Sequence, residues 1–350
     1  MRFLEEKKKL IDSKIREYFP DKIDKKYLDF LGNAVRYEHD HQALNKAIAE
    51  PIWDLLNRGG KRWRPALFLL ITEALGGDVK KVQDFVVVPE MIHNGSIITD
   101  DVEDMGEMRR GKPCLHKIYG TDIAINVGST LYFLPLMVFI KNKDKFDTKT
   151  LIRAYEVYAQ EMINIHIGQA TDIYWHKGKA ENITESQYLQ MCAYKTGCLS
   201  RMAARLAVVL AGGSKGQEEK IGKIGEAIGI AFQIKDDVLS IAGEEFSSKK
   251  GYGDDITEGK RSLLVIHALK KANKQDKEKL LEILNAHTTD KNLIKEAINI
   301  IKKYGSVEYA LGVAEGLIKE TWDEVEPLLP ESEAKKKLKS LLDFIVERKI

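Results

Sequence analysis

The sequence predicts an all-α protein, and three features carry that prediction. Apolar residues recur at intervals of three and four: Ile123, Val127, Leu131, Leu134 and Val138 form one series. Leu206, Val209 and Leu210 form a second, and Ile221, Ile224, Ala227, Ile228 and Ala231 a third. Only 8 prolines occur in 350 residues, so few points force a helix to stop. Runs of alternating apolar and polar residues are scarce, and Asn94-Gly95 lies inside a helical pattern rather than between two such runs.

Breaks fall at Gly59-Gly60, Gly76-Gly77 and Gly111-Lys112-Pro113, and then over 142–147, 178–182, 212–216 and 244–253. They leave room for about ten or more helices. No linker, low-complexity tract or fixed-period repeat marks a boundary, so residues 1–350 read as a single domain.

Composition narrows the function. Lys and Arg number 55 against 53 Asp and Glu, a net charge of +2, which argues against a polycation that coats nucleic acid. Cys114, Cys192 and Cys198 make neither a disulfide framework nor a C-x-x-C metal pair, so a reducing, cytoplasmic setting is expected. The first residues carry Glu5, Glu6, Lys7, Lys8 and Lys9 and no apolar signal core. The most apolar stretch, 124–140, is roughly 17 residues against the ~20 of a membrane span. Asn126, Ser129, Thr130 and Pro135 interrupt it, so it is expected to be a buried helix and not a transmembrane segment.

Two acidic clusters stand out. Asp100-Asp101-Val102-Glu103-Asp104 follows an apolar helical run, and Asp100 and Asp104 there stack as i and i+4. Two like charges in that position need compensation, which a hard divalent cation with oxygen ligands supplies. Taken alone, the cluster also reads as a solvated acidic helix end. Gln233-Ile234-Lys235-Asp236-Asp237-Val238-Leu239-Ser240 is a second cluster after a helical run, with Ser240 as the i+4 partner of Asp236. Two such clusters on facing helices could share metal ions around one anion.

Basic loops suggest the anion. Gly59-Gly60-Lys61-Arg62-Trp63-Arg64-Pro65 is a glycine turn that leads into a helix, with Lys and Arg placed for charge-assisted phosphate contacts. Arg109-Arg110, and Lys249-Lys250 with Lys260-Arg261, add two more basic sites. Acid clusters interleaved with them would repel a nucleic-acid backbone, whereas a small diphosphate bridged by Mg²⁺ suits both signs. On position alone His93, in an apolar helical stretch, reads as a core histidine; Lys61 and Arg64 reverse that.

These motifs together resemble the trans-isoprenyl diphosphate (polyprenyl) synthases. In chain order they are G-G-K-R-x-R-P, D-D-x-x-D with R-R-G-K-P, G-Q-x-x-D from Gly168, K-T-G from Lys195, and F-Q-I-x-D-D with D-I-x-E-G-K, over about 59–264. The chain is most similar to the eukaryotic-type geranylgeranyl diphosphate synthases. Ile118-Tyr119-Gly120, Leu131-Tyr132-Phe133-Leu134, the run Gly168 to Trp175, and Ser240 where many relatives carry a third Asp are the cues. The region before Gly59 and the last ninety or so residues carry no motif and are assigned to packing.

The resemblance implies a helical bundle around a deep central cavity, usually a homodimer. It implies head-to-tail transfer of an allylic diphosphate's prenyl group to isopentenyl diphosphate. Leaving-group stabilisation falls to about three Mg²⁺ per site, with Mn²⁺ an admissible substitute. By motif position Asp100, Asp104 and Asp236 are the metal ligands, supported by Asp101 and Asp237. Arg109, Lys195, Lys250 and Lys260 grip the allylic diphosphate, while Lys61, Arg64, His93 and Arg110 hold isopentenyl diphosphate. Thr196 and Gln233 carry oxygens for the cation and its diphosphate, and Gln169 and Asp172 orient Lys195. Asp254 and Asp255 are expected as loop and cap residues rather than ligands.

Relatives that stop at fifteen carbons usually place an aromatic one turn before the first acid motif; Gly95 and Ser96 are small there, so the resemblance implies an open cavity floor. In the eukaryotic-type branch a deeper stop is made by an aromatic pair and a histidine. The resemblance puts Tyr132, Phe133 and His166 there and so implies geranylgeranyl diphosphate as product, ordinary core packing being the other reading of the aromatic pair. A farnesyl or a C25-or-longer synthase, a terpene cyclase and an inactive partner subunit are the alternatives. The isopentenyl site speaks against the cyclase, and intact Asp100, Asp104 and Lys195 speak against the inactive subunit.

Overall fold

The computed structural model describes residues 2–32, 35–180, 182–242 and 253–347. Helices dominate, as the periodicity predicts. Among the described residues the strands are two short ones, Met108–Arg109 and Lys112–Pro113, paired antiparallel. The intervening Arg110 and Gly111 have φ of 52° and 76°, the two left-handed positions of a tight two-residue hairpin.

By internal packing the chain falls into two compact units, Met1–Tyr155 with Val209–Gly213, and Glu156–Val208 with Ser214–Ile350. In the first unit, helix Trp63–Ala74 is buried nearly all round, with Leu67, Phe68, Leu69, Leu70 and Ile71 fully buried. It packs against Val87–Glu103, which in turn packs against Thr121–Phe133. Gly95 and Gly128 let those last two helices approach closely: a Cβ on Gly95 would lie 2.9 Å from Leu131 Cβ and 3.0 Å from Gly128 O.

The apolar stretch read as a buried helix departs from that expectation. Its apolar run, Thr121–Lys141, is 21 residues long and holds an 18-residue stretch with a mean hydropathy of 1.9, only 39% of it buried. By length and composition alone it is long enough to cross a membrane. Val127, Leu131 and Val138 are buried, while Ile125, Phe133 and Ile140 on another face are 49%, 68% and 49% exposed. Periodicity identifies the inward face of such a helix but not whether the outward face is covered.

In the second unit the long helix Lys215–Ala242 packs along Ser306–Val325. It also packs on Ala193–Gly197, a widened π-type turn before Cys198–Leu210. Glu161, fully buried on Thr148–Tyr174, accepts hydrogen bonds from Arg201 Nε at 2.8 Å and Arg205 Nη1 at 2.7 Å. Arg205 Nε also donates to Glu218 at 2.9 Å, so three helices share one buried ion network.

Candidate active site

The glycine turn before Trp63 is held by arginines. Gly59 and Gly60 take φ of 95° and 158°, and Arg62 follows at 51° as the first residue of the turn into helix Trp63–Ala74. Arg58 donates to Asp54 Oδ2 at 3.0 Å and to the carbonyls of Arg109 and Pro113 at 3.1 and 2.9 Å. Arg110 Nη1 donates to Leu55 O at 3.2 Å and Gly59 O at 2.6 Å. The glycine turn and the Arg109–Lys112 hairpin are therefore tied together through main-chain acceptors.

Lys61 is exposed, and Arg64 is buried with its guanidinium 4.4 Å from the centre of the Trp63 ring. His93 lies half-buried on Val87–Glu103. Burial, followed by the positive field of Arg64, Arg110, Arg109 and Arg62, pushes its imidazole well below the usual histidine range. The structure thus brings His93 into the field of Arg64 and Arg110. Ser96 Oγ donates to His93 O at 2.9 Å.

Asp100 and Asp104 close this helix one turn apart, the Asp104 amide donating to Asp100 O at 2.8 Å. Both are half-buried; Asp101 between them is 4% exposed. Arg109 Nε donates to Asp101 Oδ1 at 2.8 Å, and Arg109 Nη2 lies 3.9 Å from Asp100 Oδ2. Paired carboxylates at a helix C-terminus oppose the helix dipole as well as each other. Such an oxygen donor set fits a hard divalent cation.

The second unit repeats the division. Asp236 is half-buried, and Asp237 is 5% exposed and accepts from Tyr188 Oη at 2.8 Å and Gln233 Nε2 at 2.7 Å. Burial, with the Asp255 carboxylate nearby, pushes Asp237 up to about 7. Lys195 Nζ donates to Asp172 Oδ2 at 2.5 Å, the orienting contact expected of Asp172. Thr196 Oγ1 donates to Gln233 Oε1 at 2.9 Å, so the two oxygens engage each other as well as any ligand. Lys260 pairs with Asp255 at 3.3 Å and Glu258 at 2.5 Å; Asp255 is thus a lysine partner rather than a plain cap. Lys250 lies outside the described residues.

The residues assigned to chain length are dispersed in environment. Gly95, expected as open floor, is buried tightly against Leu131 and Gly128, because its missing side chain serves helix contact. The hydroxyls of Tyr132 and Thr99 are 2.7 Å apart. Phe133 is 68% exposed. His166 is exposed, with Nδ1 2.7 Å from Met162 O on its own helix. Sequence reasoning missed Asp12, Asp54, Arg58, Glu90 and Tyr188, which hold these groups in place. No local motif marks them.

Residues 45–301 match the polyprenyl synthetase family. The short chain isoprenyl diphosphate synthase of Methanothermobacter thermautotrophicus is 36% identical over 84% of this chain and 88% of its own. The geranylfarnesyl diphosphate synthase of Aeropyrum pernix is 34% identical over 84% and 92%. The crystal structure of geranylgeranyl pyrophosphate synthetase from Pyrococcus horikoshii superposes with a TM-score of 0.85 at 33% identity, covering 99% of this chain and 98% of that one. With its aspartate pairs and glycine-lysine turn in place, the chain belongs to the polyprenyl synthetase family and is a prenyl transferase.

Proposed function

We propose that this chain joins isopentenyl diphosphate to allylic diphosphates and releases geranylgeranyl diphosphate, using Mg²⁺ or Mn²⁺. The division of labour within each Asp-Asp pair supports the reading best. One carboxylate, Asp100 or Asp236, stays accessible, while its neighbour, Asp101 or Asp237, is buried on protein donors. Asp100, Asp104 and Asp236 would hold the metal, which neutralises a leaving diphosphate when bound. Arg109, fixed by Asp101, and Lys195, fixed by Asp172, carry positive charge for the allylic diphosphate, together with Lys260. Lys61, Arg64, His93 and Arg110 serve isopentenyl diphosphate. No histidine or glutamate base is needed, because the released diphosphate can take the departing proton.

Product length rests on Tyr132, Phe133 and His166 and on the small Ser96. The exposed apolar face of Ile125, Phe133 and Ile140 supports a homodimer built on that helix. Three cysteines, all free of disulfides, support a reducing, cytoplasmic setting.

Incubation with Mg²⁺, labelled isopentenyl diphosphate and each short allylic diphosphate, with sizing of the products, tests the reading. The expected product is geranylgeranyl diphosphate, and the expected effect of Asp100→Ala or Asp236→Ala is a loss of kcat by orders of magnitude. Full activity in excess chelator would overturn it.

A further inference from the structure

We propose that Arg62 is a positioning residue for isopentenyl diphosphate, locking the Lys61–Arg64 turn onto the helix that carries His93. The inference rests on the substrate reading given above. Arg62 adopts φ 51°, a left-handed conformation that a side chain other than glycine rarely takes. Its side chain is 5% exposed, and its guanidinium is engaged on every nitrogen. Nε donates to Asp12 Oδ1 at 2.8 Å, Nη1 to Glu90 Oε1 at 2.8 Å and Nη2 to Leu56 O at 3.3 Å. Little of it is left to meet a substrate.

The geometry explains why the strain is held. Arg62 O accepts the first hydrogen bond of the following helix, from Ala66 N at 3.1 Å. The guanidinium folds back beneath Gly60, where a Cβ would meet Nη1 at 2.6 Å. Glu90, 3% exposed, lies one turn before His93 on the same helix and also accepts from Asn94 Nδ2 at 3.0 Å. One side chain therefore fixes three things together: the turn that presents Lys61, the start of the helix that presents Arg64, and the helix of His93. Asp12 brings in helix Arg2–Tyr18, a segment with no motif of its own. Loss of Arg62 would also leave Glu90 as an uncompensated buried carboxylate beside the anion site.

The test measures KM for isopentenyl diphosphate, KM for the allylic substrate and kcat separately, in the full-length enzyme with Mg²⁺. Arg62→Gln is expected to raise the isopentenyl KM about tenfold or more and Asp12→Asn about threefold, with the allylic KM within about twofold of wild type. The double variant should match Arg62→Gln alone, because Asp12 acts through its contact with Arg62. If Arg62→Gln fails to fold, Asp12→Asn decides, its side chain being 40% exposed. Lys61→Ala is the control for the site itself. An unchanged isopentenyl KM in Lys61→Ala overturns the substrate reading and the inference with it. A raised KM in Lys61→Ala beside a wild-type Asp12→Asn, or equal losses for both substrates, overturns the inference alone.

Discussion

Gly168→Ala should cripple catalysis at a measurable cost in stability. Gly168 lies one turn before Asp172, the residue that grips Lys195. A Cβ at 168 would fall 2.2 Å from Lys195 N, 2.6 Å from Tyr194 C and 2.8 Å from Lys195 Cα. All three are backbone atoms, so no flexible side chain can give way. On the other flank a Cβ on Gly229 would lie 2.5 Å from Gly197 Cα, and one on Gly225 2.4 Å from Ser200 O. The turn Ala193–Gly197 is thus gripped between two helices in backbone contact. Ordinary Cβ contacts begin near 3.4 Å, so the alanine must displace Lys195. The displacement is about 1 Å, and a misplacement of that size costs about a hundredfold in rate. Overpacking of this kind costs about 1–3 kcal/mol. Spread over a chain of this size, that is about 1–4 °C in Tm. Steady-state kcat at saturating substrates and calorimetry on the same sample check both numbers. Gly216→Ala, on the same helix as Gly229 but facing open space, should leave kcat unchanged. A Gly168→Ala enzyme with kcat within about threefold of wild type would refute the positional reasoning.

Other outcomes follow from single contacts. Gly312→Ala and Gly316→Ala sit inside helix Ser306–Val325 with nothing within 4 Å of the added Cβ, so each should stabilise by up to about 1 kcal/mol in thermal or urea unfolding; a loss would show that something packs there. His93 is held below its unfolded value, so it stabilises the fold above the unfolded histidine pKa and loses that contribution as the pH falls through it. Wild type should therefore lose more unfolding free energy than His93→Gln between about pH 6.5 and 5, by no more than about 1.4 kcal/mol per pH unit in urea unfolding, and equal slopes would contradict the assignment. Replacing Tyr132 and Phe133 together with Ala should lengthen the product and Ser96→Phe should shorten it toward fifteen carbons, as read by product sizing; unchanged length in the double variant would remove the basis for geranylgeranyl diphosphate. Gly95→Ala, by contrast, should lower Tm, because its Cβ would meet Leu131 Cβ at 2.9 Å.

The helices and their punctuation were legible because their causes are local. A 3.6-residue period shows in any short window, and Gly76, Gly178, Gly212 and Gly253 each adopt positive φ at or beside an expected break. The spacing of the acid pair was legible for the same reason: Asp100 and Asp104 are four apart because one helical turn separates them. Their partners were not. Asp12 reaches Arg62 across fifty residues and Tyr188 reaches Asp237 across forty-nine, and nothing near either acid or hydroxyl distinguishes it from its neighbours. Left-handed Arg62 and Arg110 were also hidden, since their conformation follows from side chains that anchor elsewhere. Gly168 and Gly229 sit inside helical patterns, where a glycine reads as a weakness until the backbone pressed against it is seen.

The Asp-Asp motif itself shows where the two kinds of information meet. Adjacent residues on a helix point about 100° apart, so two neighbouring aspartates cannot serve one ion from the same face. One of them must turn toward the protein, and a buried carboxylate requires donors. In the first pair Asp101 finds Arg109, and in the second Asp237 finds Tyr188 and Gln233. Arg109 and Gln233 lie within nine residues of the acids they hold, and both belong to the motif strings. Under the proposed reading the doubled aspartate is a ligand joined to its own anchor. The anchor explains why residues flanking the acids recur in the motif: Asp101→Asn should weaken the placement of Arg109 even with Asp100 and Asp104 intact. Measured as a rise in KM for the allylic diphosphate larger than that for isopentenyl diphosphate, this would separate an anchor from a ligand; equal rises would mean that Asp101 and Asp100 share one role.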